Sequence, residues 1–259
     1  MEGAASRFRY LERGKGEAVV LLHGLFGSPE NWNDVIDSLS SEFRVLALQF
    51  PIDYQPKRSL YSLCTVPQLT EYVREFMDYT GVERAILAGN SLGGQVAIDF
   101  CIKNPGRVER LIITGSAGLF ERSLSGGSIP KVCREFVREK ASEIFYDPKH
   151  VTEDLVEEIL EMLGDRNFLR FLLRIAKSTR DYNVKEVLDK IKVPTLIVWG
   201  KNDQITPPTV AYEFEEHLEN ARLVFLDRCG HTPPIERPIQ FSEIARDFLE
   251  NSSTLAPIS

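Results

Sequence analysis

Three residues of this sequence have the types and the spacing for nucleophilic catalysis. Ser91 stands in the run Gly89-Asn90-Ser91-Leu92-Gly93-Gly94, between an apolar stretch that ends at Ala88 and a helix that begins near Gly93. A serine on a sharp strand-to-helix turn is held in a strained backbone conformation, and small residues two positions to either side leave room for the turn. The turn lifts the hydroxyl above the sheet edge, and the start of the following helix favours developing negative charge. A serine hydroxyl needs a base to become a nucleophile. Of the histidines His23, His150, His217 and His231, only His231 lies in a loop directly after a last strand, in Asp227-Arg228-Cys229-Gly230-His231-Thr232. His150 and His217 fall in helical or connecting surface segments and are expected to be solvated. A carboxylate must fix the imidazole tautomer and stabilise the imidazolium. Asp203 follows the apolar run ending at Trp199 and completes the chain order Ser, Asp, His. A rival acid would sit near Ser116, after the preceding strand, but no carboxylate occurs there before Glu121.

Positioning these groups requires one sheet with its loops gathered at one edge. Ala18–Leu22, Arg44–Leu48, Ala85–Ala88, Leu111–Ile113, Thr195–Trp199 and Arg222–Leu226 read as strands, most of them near-continuous apolar runs. Such runs suit strands covered on both faces. Helices alternate with them. One opens at Thr65-Val66-Pro67 and ends near Gly81, with Leu69, Tyr72, Val73, Phe76 and Met77 on one face. Another runs from Gly93 to before Pro105, and the last spans about Pro238 to Glu250. The alternation implies a parallel sheet between helical layers, joined by right-handed crossovers. From about Gly118 to Lys190 no strand pattern occurs. Helices are expected instead over roughly Pro130–Phe145, Thr152–Leu163 and Asn167–Ser178, entered through the small-residue stretch Ser123–Ser128.

Composition narrows the function. The chain has 259 residues, 43% of them hydrophobic, and a formal net charge of -7. That length supports a sizeable core. The acidic balance and scattered Lys and Arg argue against a nucleic-acid partner. Cys64, Cys101, Cys133 and Cys229 are widely spaced, show no metal-ligand pattern and are expected to be free thiols. Neither a leader segment nor a run long enough to span a bilayer is evident, so the expected location is the cytoplasm. The tail Asn251–Ser259 is expected to fray. The small, glycine-bearing loop His23-Gly24-Leu25-Phe26-Gly27 follows the first buried strand. Its Leu25 N–H and that of Leu92 are positioned to hold an oxyanion. His23 itself is expected to hold this loop by a hydrogen bond.

Taken together, His23-Gly24, the Gly89–Gly94 turn, Asp203 and Gly230-His231 resemble the α/β-hydrolase superfamily over about Phe8 to Phe248. The resemblance implies an α/β-hydrolase fold, a mostly parallel eight-stranded sheet flanked by helices with a helical cap inserted after the sixth strand. Residues 1–118 and 191–259 would form the core and 119–190 the cap. It implies a serine hydrolase with Ser91, Asp203 and His231 as catalytic residues and no metal or cofactor. Phe26, Asn90, Phe136 and Phe168 are expected to contact substrate. Phe136, Phe145, Leu163, Phe168 and Phe171 suggest a largely apolar pocket, suited to a small or medium ester. The partner would be a small molecule, and the protein a monomer or homodimer. The turn and Gly115-Ser116-Ala117-Gly118-Leu119 are also similar to meta-cleavage product hydrolases, which split carbon–carbon bonds in dienoates. Here Thr232, not tryptophan, follows His231; Ile159 stands where a cap arginine would meet the substrate carboxylate, with Arg166 a loose substitute; and the D-x-P-G-x-G loop is replaced by Gln49-Phe50-Pro51-Ile52-Asp53. Carbon–carbon bond hydrolysis and a ligand receptor on a hydrolase scaffold are the alternatives. Epoxide hydrolases and haloalkane dehalogenases are excluded as close analogues, because they need Asp at position 91.

Overall fold

The computed structural model describes residues 7–51, 65–120 and 132–250. The hinge-like stretch Ser123–Ser128, Glu121, Asp53, Cys64, the first residues and the tail from Asn251 lie outside them. Seven strands form one sheet in the order β1-β3-β2-β4-β5-β6-β7. They are β1 (Tyr10–Arg13), β2 (Ala18–Leu22), β3 (Arg44–Leu48), β4 (Ala85–Asn90), β5 (Val108–Thr114), β6 (Thr195–Gly200) and β7 (Ala221–Leu226). Only β1 is antiparallel, pairing Tyr10 with Leu48 and Arg13 with Val45. The remaining pairs are parallel.

The apolar runs divide by the strand period of two. Val20, Leu22, Leu46, Leu48, Leu87, Ile197 and Trp199 pack into one core cluster. Their neighbours Val19, Leu21, Val45, Ala47, Ile86, Leu196 and Val198 pack into a second cluster on the opposite face. Each face therefore has its own helical cover. On one side lie α2 (Val66–Tyr79) and α3 (Leu92–Lys103), contributing Leu69, Val73, Phe76, Val96 and Phe100. On the other are α1 (Asn33–Leu39) and the C-terminal α9 (Pro238–Glu250), with Val35, Ile36, Phe241 and Ala245. Thr65 caps α2 by accepting the Gln68 N–H, as its sequence suggests.

Between β5 and β6 come α4 (Arg134–Ser142), α5 (Glu153–Gly164) and α6 (Arg166–Asp181). The first two share a small cluster, Val137, Ala141, Val151, Val156 and Ile159. In contrast, α6 sends Phe168, Phe171 and Ile175 into the main core. The ends of this insertion meet where Val184 N–H donates to Gly118 O at 2.9 Å. Gln95 of α3, fully buried, donates its amide to Thr179 O (3.2 Å) and Tyr182 O (2.8 Å), tying the end of α6 to the helix that follows Ser91. Asp99, one turn on, accepts the Tyr182 hydroxyl and the Thr70 hydroxyl and pairs with Lys103. After β6 come α7 (Pro208–His217) and, beyond β7, the short α8 (Pro233–Glu236).

Two expectations need correction. Among the described residues the sheet has seven strands, not eight, and the insertion follows the fifth strand, not the sixth. The six apolar runs account for the parallel strands, and the antiparallel edge adds one more. That edge strand escapes sequence reading because Tyr10–Arg13 is four residues long and carries no fully buried position. Cys101, Cys133 and Cys229 are free, and burial pushes the Cys101 thiol up to about 12. No helix among the described residues is long and apolar enough to cross a membrane.

Candidate active site

The strand order reverses direction beside β2, because β3 lies on one side of it and β4 on the other. Loops leaving the carboxyl ends of β2 and β4 therefore diverge and leave a crevice, the usual binding position in open α/β sheets. The loop after β2 carries Gly24 and Leu25, and the turn after β4 carries Ser91. Both border a cavity of about 270 Å³ that also touches His231.

Ser91 has φ 56 and ψ −118, a conformation that side chains other than hydrogen rarely adopt. The surrounding glycines show why the turn closes so tightly. A Cβ on Gly89 would lie 2.3 Å from Gly93 O, and one on Gly93 would lie 2.2 Å from Leu22 O. The turn is fastened by Ser91 N–H to Thr114 O at 3.0 Å and by Ala117 N–H to Ser91 O at 3.2 Å. Ser91 precedes the first residue of α3, so the positive N-terminal end of that helix lies beside the serine.

Asp203 and His231 are brought together from the loops after β6 and β7. His231 Nδ1 lies 2.9 Å from Asp203 Oδ2, with both side chains almost wholly buried. Asp203 is itself fixed: its Oδ1 accepts the N–H of Ile205 (2.8 Å) and Thr206 (2.9 Å), and its Oδ2 accepts the Thr206 hydroxyl at 2.9 Å. A carboxylate with this many donors is orientated before any substrate arrives. Thr206 was not singled out from sequence. The signal was present as Asp203-Gln204-Ile205-Thr206, a spacing in which an Asp side chain receives the N–H groups two and three residues ahead.

His231 is held from the other side by the segment after α4. Its N–H donates to Ile144 O at 2.8 Å. Glu236, buried in α8, accepts Gly230 N–H at 2.9 Å through Oε1 and Tyr146 N–H at 2.7 Å through Oε2. This close seating requires glycine before the histidine, since a Cβ on Gly230 would lie 2.5 Å from Ile144 O. Nothing in the sequence marks Glu236 as special except a carboxylate placed soon after His231 and two prolines.

The other expected residues divide. Phe26, Leu25 and Asn90 border the cavity. The Asn90 amide is already engaged, donating to Thr114 O and His231 O at 3.0 Å each, so it joins the turn to the histidine loop. Phe136 and Phe168 do not border the cavity. Phe136 packs on the small α4–α5 cluster. Phe168 is fully buried behind Phe26, ring centroids 6.1 Å apart. The apolar wall comes instead from Trp32, Ile144, Phe145, Leu155, Ile159 and Ile235. Leu92 is buried at the start of α3.

His23 is a support for the loop after β2. Its Nδ1 is 2.7 Å from Gly24 O, and its Nε2 accepts Phe50 N–H at 2.9 Å. Full burial pushes its pKa down to about 4, so the ring is neutral. His217 bonds Glu213 O within α7. His150 departs from the expected solvated state. It stacks on Phe145, ring centroids 5.3 Å apart, and its Nε2 is buried with no hydrogen-bond partner among the described residues.

Comparison with known proteins gives a consistent picture. The family model described as "Alpha/beta hydrolase family" matches residues 19–244. A 2-hydroxy-6-oxononadienedioate/2-hydroxy-6-oxononatrienedioate hydrolase of Burkholderia vietnamiensis is 30% identical, covering 96% of this chain and 92% of its own length. The human monoacylglycerol lipase ABHD6 is 26% identical over 94% of this chain and 79% of its own. Among solved structures, the alpha/beta hydrolase enzyme MGS-MChE2 from a lagoon-sediment metagenome superposes with a TM-score of 0.76. It has 34% identity, covering 96% of this chain and 98% of that one.

Proposed function

Because the chain belongs to the alpha/beta hydrolase family, we propose that it is a serine hydrolase acting on a small to medium ester with an apolar acyl or alcohol part. The Asp203 contact keeps the His231 proton on Nδ1, which leaves Nε2 as the base. His231 takes the Ser91 proton as the hydroxyl oxygen attacks the ester carbonyl. The Leu25 and Leu92 N–H groups receive the oxyanion. The tetrahedral intermediate collapses, and His231 returns the proton to the departing alcohol. Water then attacks the acyl-enzyme with the same base, releasing the acid and restoring Ser91. In this reading residues 119–190 act as the cap, supplying Ile144, Phe145, Leu155 and Ile159 to the cavity wall.

The observation that carries the ester reading is the cavity wall itself. Its described residues include no Lys or Arg, and Ile159 borders it. A dienoate carries a carboxylate, and burying that charge without a cation is costly. Arg166 lies exposed on α6 and does not border the cavity. The chain is similar both to a dienoate hydrolase and to a monoacylglycerol lipase, so both substrates belong in one assay. The protein is expected to hydrolyse aryl esters of graded acyl length and to leave a meta-cleavage dienoate intact. A fluorophosphonate is expected to label Ser91, whose oxygen displaces fluoride while the proton leaves with it. Ser91→Ala should lower ester turnover by roughly 10³-fold or more. Dienoate cleavage without ester turnover would replace the reading, and an active Ser91→Ala would remove the nucleophile.

A further inference from the structure

A second cleft, about 520 Å³, lies on the acid-loop side of the site. It is bordered by Ser142, Lys201, Asn202 and Gln204, and is more polar than the catalytic cavity. Phe145 borders both spaces. We propose that the Phe145 side chain is a gate between them, and that the substrate is an ester whose apolar part fills the inner cavity while a polar group on its far end reaches the outer cleft. The proposal rests on the ester reading for its substrate class, but the gate itself does not.

Three observations carry it. The backbone on both sides of Phe145 is fastened, Ile144 O by His231 N–H at 2.8 Å and Tyr146 N–H by Glu236 at 2.7 Å. Moving that segment would break bonds that hold the histidine loop. A passage therefore opens by rotation of the side chain, which needs none of them broken. The inner cavity is small for an amphiphile, so a longer molecule bound at Ser91 extends beyond it. Phe145 is the residue that borders both this cavity and the second cleft. Finally, the Phe145 ring stacks on His150, whose Nε2 is buried and unpaired among the described residues. An unpaired buried nitrogen is costly. A ring rotation that exposes this nitrogen to solvent would offset part of the cost of opening. The polar groups of the outer cleft include the Lys201 ammonium, which pairs with Asp227 at 2.7 Å, the Asn202 and Gln204 amides and the Asp203 carboxylate, which its own donors already occupy. The ammonium and amide N–H groups suit hydroxyl, ether or carbonyl oxygens on the emerging end.

The test uses fluorophosphonates that share one reactive group. One is compact, one carries a long oligo-ether tail, and one carries an alkyl tail of equal length. Labelling rates of Ser91 are measured for the full chain, wild type and variants, with melting temperatures alongside. In Phe145→Ala the ratio of ether-tailed to compact labelling should rise at least fivefold, and the alkyl-tailed ratio should rise less. Phe145→Leu should move the ratio the same way by a smaller factor, which covers the case where the alanine variant does not fold. Phe145→Trp should lower it. Phe136→Ala, which thins the α4–α5 packing away from the cavity, should leave it unchanged. Equal ratios in wild type and all Phe145 variants would overturn the gate, and an equal gain for both tails would overturn the polar-ended substrate. A shifted ratio with no ester turnover would keep the gate and remove the ester reading. No labelling of Ser91 by any probe would remove both.

Discussion

His23 gives this protein a built-in sensitivity to acid that can be isolated from its other titrating groups. The ring is buried, with Nδ1 on Gly24 O and Nε2 receiving Phe50 N–H. Protonation would place a charge there and turn the accepting nitrogen into a donor facing another donor. Burial therefore holds the folded-state pKa at about 4, against 6.5 for an ordinary histidine. Between those values the unfolded chain binds more protons than the native one, so lowering the pH favours unfolding. The contribution is complete above pH 6.5 and is lost as the pH falls towards 4. At about 1.4 kcal/mol per pH unit, the gap amounts to about 3 kcal/mol. Carboxylates held low by partners, such as Glu71 beside Arg74 and Glu219 beside Lys192, act in the same direction at the acidic end of the range. The comparison must therefore be differential. Urea unfolding of wild type and His23→Asn is measured from pH 7.5 to 4.5. The variant should be less stable at neutral pH, because Phe50 N–H loses its partner. It should also lose about 2 to 3 kcal/mol less than wild type across the range. Parallel pH profiles for the two proteins would refute the argument.

Two further changes test the site's supports. Ser91→Gly relieves a positive φ, so it should raise stability by about 1 kcal/mol while abolishing turnover; a melting temperature below wild type would contradict strain at the turn. Glu236→Ala leaves the buried Gly230 N–H and the partly buried Tyr146 N–H without their acceptor. It should cost roughly 2 to 4 kcal/mol in urea unfolding and lower kcat more than it changes KM. Glu236→Gln, which keeps one acceptor oxygen, should recover part of both, and a variant alanine enzyme within 0.5 kcal/mol of wild type would show that the contacts carry little.

The parallel strands were legible because an unbroken apolar run has few other uses at that length, as in Ala18–Leu22, where each residue is buried. The turn at Ser91 was legible because backbone collisions dictate its glycines, Gly89 against the turn itself and Gly93 against the end of β2. What sequence could not supply was direction across the fold. Phe136 and Phe168 have the aromatic character of a pocket wall, yet each helix turns them elsewhere, into the α4–α5 cluster and the main core. Helical periodicity tells which residues share a face but not what that face meets. The setting of His150, expected to be solvated, and the role of Glu236 escaped sequence reading for a related reason: their partners, Phe145 and Tyr146, lie in a segment whose seating on the histidine loop is a tertiary event. The edge strand β1 was missed because half-buried positions leave only a faint pattern.

The hydrogen bond from Val184 to Gly118 has a consequence for how such a chain can diversify. Its two residues bring the borders of the intervening stretch side by side, so the sheet experiences the whole excursion as one closed stem. Stretches of other lengths or shapes could be spliced onto that stem without re-registering a strand. The limit is α6, whose phenylalanines are anchored in the main core: a graft that keeps Phe168, Phe171 and Ile175 should be accepted far more readily than one that starts afresh at Gly118.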